Sequence, residues 1–523
     1  MTDNHATADY VIVGAGSAGS ALARRLLDAG ATVHVLEAGP VDTADEIHSP
    51  QGWPALLAGP QDWAVMTTPQ EHANGRSLFW PRGKVLGGSS SLNGMIYMRG
   101  HRSDYDGWAE QGCEGWSWDD VLPLFKKSED HIDGPDEHHD TGGPLPVSSI
   151  KNPHPTAQAF VDAAVSAGHK LNEDFNAGDM RGVGFNEMTV KDGKRMSAWQ
   201  SFVAPVLDHP NLTVTTDAMI DRVIVEGGRA VGVEYVTTDG KRVAEPGPRP
   251  DGATGSTTVM AAKEVILAGG TIGSPAILLR SGIGPASDLE ALGIDVVADL
   301  AGVGENLHDH PLISVVYESS QPVPPGENNL LEAQFYADSK GWSGDAPDLQ
   351  PLFLHLVYPA EGYEIPEHGY TLAAGIVAPR SRGTLKLAST DPAVPPLVDP
   401  QILADPYDLE ALCDAIEMCR EVGAQSAFDP WRAREVAPGP DATTRDDIRE
   451  FARRSVGTYH HQVGTCRMGT DELAVVDPQL RVRGIDGLRV VDASIMPAVP
   501  SCNTNAPSIM IGEKAALLIL GDQ

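Results

Sequence analysis

DYVIVGAGSAGSALARRLLDAGATVHVLEAG, residues 9–39, decides the fold. Tyr10 to Val13 is apolar and β-favouring, so it reads as a buried strand. Gly14, Gly16 and Gly19 follow as G-x-G-x-x-G. Ser20 to Leu27 reads as a helix with an apolar stripe at Leu22, Leu26 and Leu27. Ala31 to Leu36 reads as a second strand, with Glu37 at its end. Glycines let a backbone approach a pyrophosphate, and a helix N-terminus offers free N–H groups and a positive dipole end. A carboxylate about 20 residues on accepts hydrogen bonds from a ribose. Gly14, Gly16, Ser17, Ala18, Gly19, Glu37 and Ala38 are therefore candidate dinucleotide contacts in an α/β domain. The plain alternative is a glycine turn needed only for helix–sheet packing. A glutamate followed by Ala-Gly suits FAD and NAD alike.

The chain around this stretch has 523 residues, enough for two or three structural units. It carries 38 Lys+Arg against 72 Asp+Glu, a formal net charge of −34. Such a surface repels nucleic acid and anionic lipid and favours solubility. Attraction of a cationic substrate is the sharper reading of the same charge. Five cysteines, an odd number with no C-x-x-C, suit reduced thiols in a cytoplasmic protein. The first ten residues, MTDNHATADY, lack the basic and apolar regions of a signal peptide. No apolar run reaches the roughly 18 residues of a membrane span. None of these features specifies an oligomeric state.

Further along, PRGKVLGGSSSLNGMIYMRG (81–100), GGTIGSPAILLRSGIGP (269–285), GVGENLHDH (302–310), HHQVGTCRMG (460–469) and GLRVVDASIMP (487–497) arrive in order. The Gly87–Gly88 pair and its Ser/Asn run form a loop rich in free N–H groups. EVILAGG (264–270) is an apolar strand running into glycines, and LRVVDAS ends in Asp492. With GAGSAG, this set resembles the glucose–methanol–choline (GMC) family of FAD-dependent oxidoreductases over nearly the whole chain.

The resemblance implies an α/β fold, α+β overall. An FAD-binding domain would take 1–155, 200–311 and 458–523. A substrate-binding domain, an antiparallel sheet with helices, would take 156–199 and 312–457. Residues 383–390 alternate like a strand, and 408–425 have helical period. Loops 321–328 and 361–369 are candidate lids or ordinary surface loops. The family pattern also implies FAD contacts at Arg82, Gly83, Leu86, Gly87, Ser90, Asn93, Gly94, Met95, Val223, Ala268, Gly269, Asp492, Ala493, Asn503 and Thr504.

Flavin oxidation of an alcohol moves a hydride from the carbinol carbon to flavin N5, and the hydroxyl proton needs an acceptor. Imidazole suits that task near neutrality. The family sets a histidine in H-x-x-G-T, which His461 satisfies and His460 does not. The second catalytic position of the family falls on Asn503, with Asn505 two residues away. A neutral amide holds the alcohol oxygen without competing for its proton. His460 is a neighbour of the substrate or a packed residue. His131, His138, His139 and Asp140 resemble a metal set, but no ligand-rich partner stretch appears elsewhere, so no metal is expected.

Two departures from the family pattern refine the expectation. Members that tether FAD covalently use a histidine where this chain has Leu92, so FAD is expected to be non-covalent unless His72 substitutes. Choline-specific members carry a glutamate where this chain has Leu312, and an apolar side chain cannot offset a buried cation. Leu312 and Trp53 instead suit a neutral aryl, furanic or similar primary alcohol. Electrons would pass to O2 in an oxidase or to another acceptor in a dehydrogenase. A choline-type dehydrogenase and a hydroxynitrile lyase of the same fold are the alternatives. Asn503 disfavours the lyase, which has a second histidine there.

Overall fold

The computed structural model describes residues 6–237 and 256–521. The stretches 1–5, 238–255 and 522–523, which include parts of the expected domain ranges and of the leader reading, lie outside the described residues. Among the described residues, no helix is long and apolar enough to cross a membrane.

Two seven-stranded sheets organise the chain. In the first, Leu212–Thr215, Val33–Leu36, Ala6–Val13 and Ser256–Leu267 lie side by side in parallel, and Leu488–Val490 adds to the last of these. Arg229–Thr237 and Ala218–Glu226 extend the sheet antiparallel. The register is decisive. Val13 pairs with both Leu36 and Leu267, Leu36 with Thr215, and Leu267 with Val490. Five parallel strands thus end at one level. The glycine turn, Glu37, Ala268–Gly269 and Asp492 all follow at that edge, where open parallel sheets bind ligands.

The first helix, Ser17–Asp28, packs on this sheet, and the C-terminal helix, Asn505–Leu520, packs on the first helix. Observed helix ends lie one to three residues outside the expected ones, and the second strand starts at Val33 rather than Ala31. Arg25 clamps the buried Glu513 carboxylate with contacts of 2.7–3.0 Å and joins the two helices.

The second sheet is antiparallel, in the order Arg432–Ala437, Pro311–Ser319, Gly369–Gly375, Leu352–Leu354, Ala333–Tyr336 and Gly182–Phe185. Gly369–Gly375 is buried at every residue. The helix Pro406–Gly423 covers the sheet, close to the expected 408–425. Thr384–Lys386 pairs with Leu397–Asp399 as a separate two-stranded ribbon. A short ladder, Pro311 with Thr458 and Leu312 with Gly457, joins the chain at 311–312 to the chain at 457–458. The segments leaving that ladder, residues 306–310 and 459–465, carry the histidines.

Candidate active site

The mouth of the glycine turn presents uncapped backbone donors. The first helix opens on Gly16 with no side-chain cap and no acid in its first turn, so its leading N–H groups are left for a ligand. A Cβ at Gly14 would lie 2.4 Å from the Ala268 carbonyl oxygen, and one at Gly19 would lie 2.1 Å from that of Gly14. Those two glycines serve packing. A Cβ at Gly16 would meet nothing within 4 Å, because Gly16 borders a cavity of about 600 Å³. The Glu37 carboxylate accepts Ala15 N–H and Gly39 N–H, each at 2.9 Å, and keeps further lone pairs on each oxygen. Burial pushes its pKa up to about 7 against those hydrogen bonds.

The same cavity reaches Tyr459, His460, His461 and Asn503. Asp309 organises this end. Its carboxylate accepts the backbone N–H groups of His310 and His461, both at 2.8 Å, the Thr458 hydroxyl, and Gln462 Nε2 at 3.1 Å. His460 takes a left-handed backbone with φ +68°. Arg82 Nη2 donates to the His460 carbonyl at 2.5 Å, and Thr458 Oγ1 accepts the His460 N–H at 2.7 Å. Gly464 has φ +97°, and a Cβ there would lie 2.4 Å from the Asn306 carbonyl oxygen. The glycine of H-x-x-G-T is therefore required by close approach as well as by conformation.

His461 Nε2 lies 3.3 Å from Asn503 Nδ2, and its Nδ1 lies 3.0 Å from His310 Nδ1. The Tyr459 ring stacks on the His461 imidazole at 5.3 Å and 7°. Burial holds the His461 pKa well below the ordinary imidazole range, with His310, His460 and Arg82 acting in the same direction. Burial likewise lowers His310 and His460 to about 3. All three rings are neutral at pH 7, so His461 has a lone pair to offer.

Family models describing the GMC oxidoreductases match residues 8–312 and 379–512. The chain belongs to the GMC oxidoreductase family. An alcohol dehydrogenase (acceptor) of Pseudomonas putida is 41% identical to it over 98% of this chain and 95% of that protein. An oxygen-dependent choline dehydrogenase of Brucella ovis is 39% identical over 98% and 96%. Among solved structures, pyridoxine 4-oxidase from Mesorbium loti superposes with a TM-score of 0.90 at 37% identity, covering 97% of this chain and 98% of that one.

Most of the expected contacts of this GMC oxidoreductase line the cavity: Gly14, Gly16, Ser17, Ala18, Glu37, Ala38, Arg82, Gly83, Asn93, Gly94, Met95, Ala268, Gly269, Asp492, Ala493, Asn503 and Thr504. Five do not. Gly19 is spent on packing. Leu86, Gly87 and Ser90 build the loop from behind: Leu86 N–H bonds the Pro40 carbonyl, Gly87 N–H that of Ala15, and Ser90 Oγ the carbonyl of Gly87. Val223 is buried in its strand with its N–H donated to Ser281 Oγ at 2.8 Å, and Met219 and Ile220 line the cavity instead. Asn505 is separated from Asn503 by its partner, since its Oδ1 accepts Ser17 Oγ at 2.8 Å.

Leu312 and Trp53 share an apolar chamber with Met95, Leu331, Leu352 and Leu354. No residue of 321–328 or 361–369 lines it. Those loops are tied down, the first by Gln51 and by His154 on the Pro324 carbonyl, the second by Arg76–Glu361 and Arg434–Glu364 ion pairs.

The histidines near residue 139 do have acidic partners, contrary to the reading from sequence. Glu129, Asp174 and Glu187 reach them from three segments and form two overlapping groups, Glu129–His131–His139 and His139–Asp174–Glu187, each with its potential ligand atoms within 4.8 Å of one another. Most of those atoms are already engaged, although His131 Nδ1 is buried without a partner among the described residues. Arg99 Nη2 pairs with Glu129 at 2.7 Å, His139 bonds Glu129 and Asp174 at 2.8 and 3.2 Å, and His131 bonds Glu187 at 2.6 Å. His138 contributes its carbonyl to Arg99, and Asp140 its N–H to Glu129.

Sequence reasoning missed Asp309, His310, Tyr459 and Gln350. The first two stood inside the GVGENLHDH motif without a role. Nothing local distinguishes Gln350.

Proposed function

We propose that this chain binds FAD non-covalently and oxidises a neutral primary alcohol, of aryl, furanic or similar kind, to the aldehyde. The observation that carries this reading is one cavity with an uncapped helix N-terminus and Glu37 on its wall, and the His461–Asn503 pair at an apolar chamber on the same wall. The donor set fits the cofactor. Gly16 leaves room for a diphosphate, Glu37 has lone pairs for a ribose, and the first helix offers its N–H groups. Residues 1–155, 200–311 and 458–523 would form the FAD-binding part, and 156–199 and 312–457 the substrate-binding part.

Bound FAD supplies the acceptor, at its N5, for the carbinol hydrogen and its electron pair. The chain supplies the rest. An alcohol oxygen seated beside the pair, within reach of both Asn503 Nδ2 and His461 Nε2, accepts a hydrogen bond from the amide and gives its proton to the imidazole. Asp309 holds the His461 backbone, and Tyr459 holds its ring plane. The chamber of Trp53, Met95, Leu312, Leu331, Leu352 and Leu354 is apolar, and Leu312 offers no carboxylate to a quaternary ammonium. That supports a neutral substrate over the choline of the Brucella ovis relative, and agrees with the aromatic alcohol named by pyridoxine 4-oxidase. His460 borders the same space with an unpartnered, buried Nδ1.

Leu92 lines the cavity where a tethering histidine would stand, and His72 is exposed outside the lining, which supports release of FAD by acid. Five free, buried cysteines support a cytoplasmic location. The test is anaerobic: the flavin spectrum of the purified protein is followed against a panel of primary alcohols including choline, and then air is admitted. Bleaching by aryl or furanic alcohols is expected. Recovery in air within seconds marks O2 as acceptor, and slow recovery marks another acceptor. Bleaching by choline alone, or by no alcohol, overturns the reading.

A further inference from the structure

His461 belongs to a line of side chains in which each link restricts the next. Gln334 Nε2 donates to Met98 Sδ at 3.3 Å. Gln350 Nε2 donates to Gln334 Oε1 at 2.7 Å and to Asn503 Oδ1 at 3.0 Å. Asn503 Nδ2 then faces His461 Nε2, and His461 Nδ1 faces His310 Nδ1.

The polarity of this line follows from one end. A thioether accepts and never donates. Met98 therefore draws the amino group of Gln334 and leaves its oxygen facing Gln350. Two amide oxygens at 2.7 Å would repel, so Gln350 must present its amino group there. The same amino group reaches Asn503, which turns its oxygen toward Gln350 and its own amino group toward His461. An amino group is a donor, so the nitrogen it meets must carry a lone pair. A neutral imidazole has one proton, and it falls on Nδ1, directed at His310.

From this geometry we infer that Gln350 is a positioning residue: by holding the Asn503 amide in one of its two orientations, it keeps the basic lone pair of His461 on Nε2. The inference rests on the proposed role of His461 as base. Turned by half a rotation, the Asn503 amide would present oxygen to Nε2 and hold the proton there, and the base would be silent toward the cavity. Gln350 itself is fixed by its backbone. Its N–H donates to the Gly375 carbonyl at 3.0 Å, and its carbonyl accepts the hydroxyl of Tyr459, the ring that stacks on His461. Gln350 Oε1 is left buried with no partner.

Gln350→Glu tests this with a side chain of the same shape whose ionised end only accepts. The holoenzyme is labelled with 15N-histidine, and the His461 ring signals are assigned by their loss in His461→Gln. The wild type is expected to carry the proton on Nδ1 and Gln350→Glu to carry it on Nε2. Flavin reduction by an alcohol identified in the panel should fall on the order of 10²-fold in Gln350→Glu, with substrate affinity within about twofold. Gln350→Met, which neither donates nor demands a donor, should give mixed tautomers and a fall of about tenfold. A wild-type proton on Nε2 overturns the inference, as does an unchanged Nδ1 proton in Gln350→Glu at pH 9, where the introduced carboxyl is ionised. If Gln350→Glu fails to fold, pure Nδ1 protonation in Gln350→Met overturns it. Lack of reduction by every alcohol would refute the proposed function, while the tautomer alone still decides Gln350.

Discussion

At the scale of single residues, two adjacent imidazoles part company through one backbone torsion. The left-handed φ of His460 costs about 1–2 kcal/mol for a residue with a Cβ. Arg82 on its carbonyl and Thr458 on its N–H hold it there. The result carries His461 onto Asn503. His461→Ala is expected to retain FAD and to lower the rate of flavin reduction 10²–10⁴-fold, roughly the span of acid–base groups. His460→Ala is expected to lower it less than about tenfold. Stopped-flow reduction compares the two, and unchanged kinetics in His461→Ala sinks the assignment. The pH profile tests the same ring. Burial lowers the His461 pKa, so the proton binds only well below pH 6.5, and the neutral base persists through that value. Reduction with a non-ionising alcohol should stay level from pH 9 down through 6.5. A His461 ring titration, read by 15N shifts, centred near 6.5 would refute the neutral base; a fall in rate alone would not, since burial raises the pKa of Asp309 to about 6 and that of Glu37 to about 7. His461 was legible because H-x-x-G-T is a local pattern. His310 and Gln350 were not, because their roles arise from contacts 151 and 153 residues away in sequence.

Elements show why some of the fold was readable. The first strand, glycine turn and helix are contiguous, so their chemistry lies in one window of sequence. The second sheet was different. Gly369–Gly375 is buried throughout, so it lacks the alternation that marks a half-buried strand. The contact between the first and last helices was equally hidden, with 488 residues separating Arg25 from Glu513. A Cβ on Gly512 would lie 2.4 Å from the Ala18 carbonyl oxygen and 3.0 Å from the Ala21 Cβ. Alanine improves helix propensity by about 1 kcal/mol. Overpacking against backbone costs about 1–3 kcal/mol and should win, since a helix carbonyl cannot rotate aside. Gly512→Ala is therefore expected to lower the Tm of the FAD-loaded protein and to loosen FAD, since the last helix carries Asn505 onto Ser17. A raised Tm would mean that the two helices separate freely.

On the scale of the whole molecule, a net charge of −34 means that deprotonation generally adds repulsion. One buried cluster runs against that background. Arg99, Glu129, His131, His139, Asp174 and Glu187 fasten segments from positions 99 to 187. Burial alone would lower the His139 pKa, but hydrogen bonds with Asp174 and Glu129 outweigh it and raise it to about 10. The sign follows. A folded pKa above the unfolded value of about 6.5 gives stability that is complete below 6.5 and is lost as pH climbs through 10. His139→Gln keeps a hydrogen-bonding side chain but no titratable charge. Breaking a buried ionic group by removing one partner costs about 3–5 kcal/mol, so the variant should melt well below the wild type near pH 6. The Tm gap between them should then narrow steadily from pH 6.5 to 10. Comparing the two proteins at each pH cancels the repulsion that both share. A gap that widens with pH would mean that His139 is neutral in the folded chain, and that Arg99 and His131 balance the three carboxylates without it.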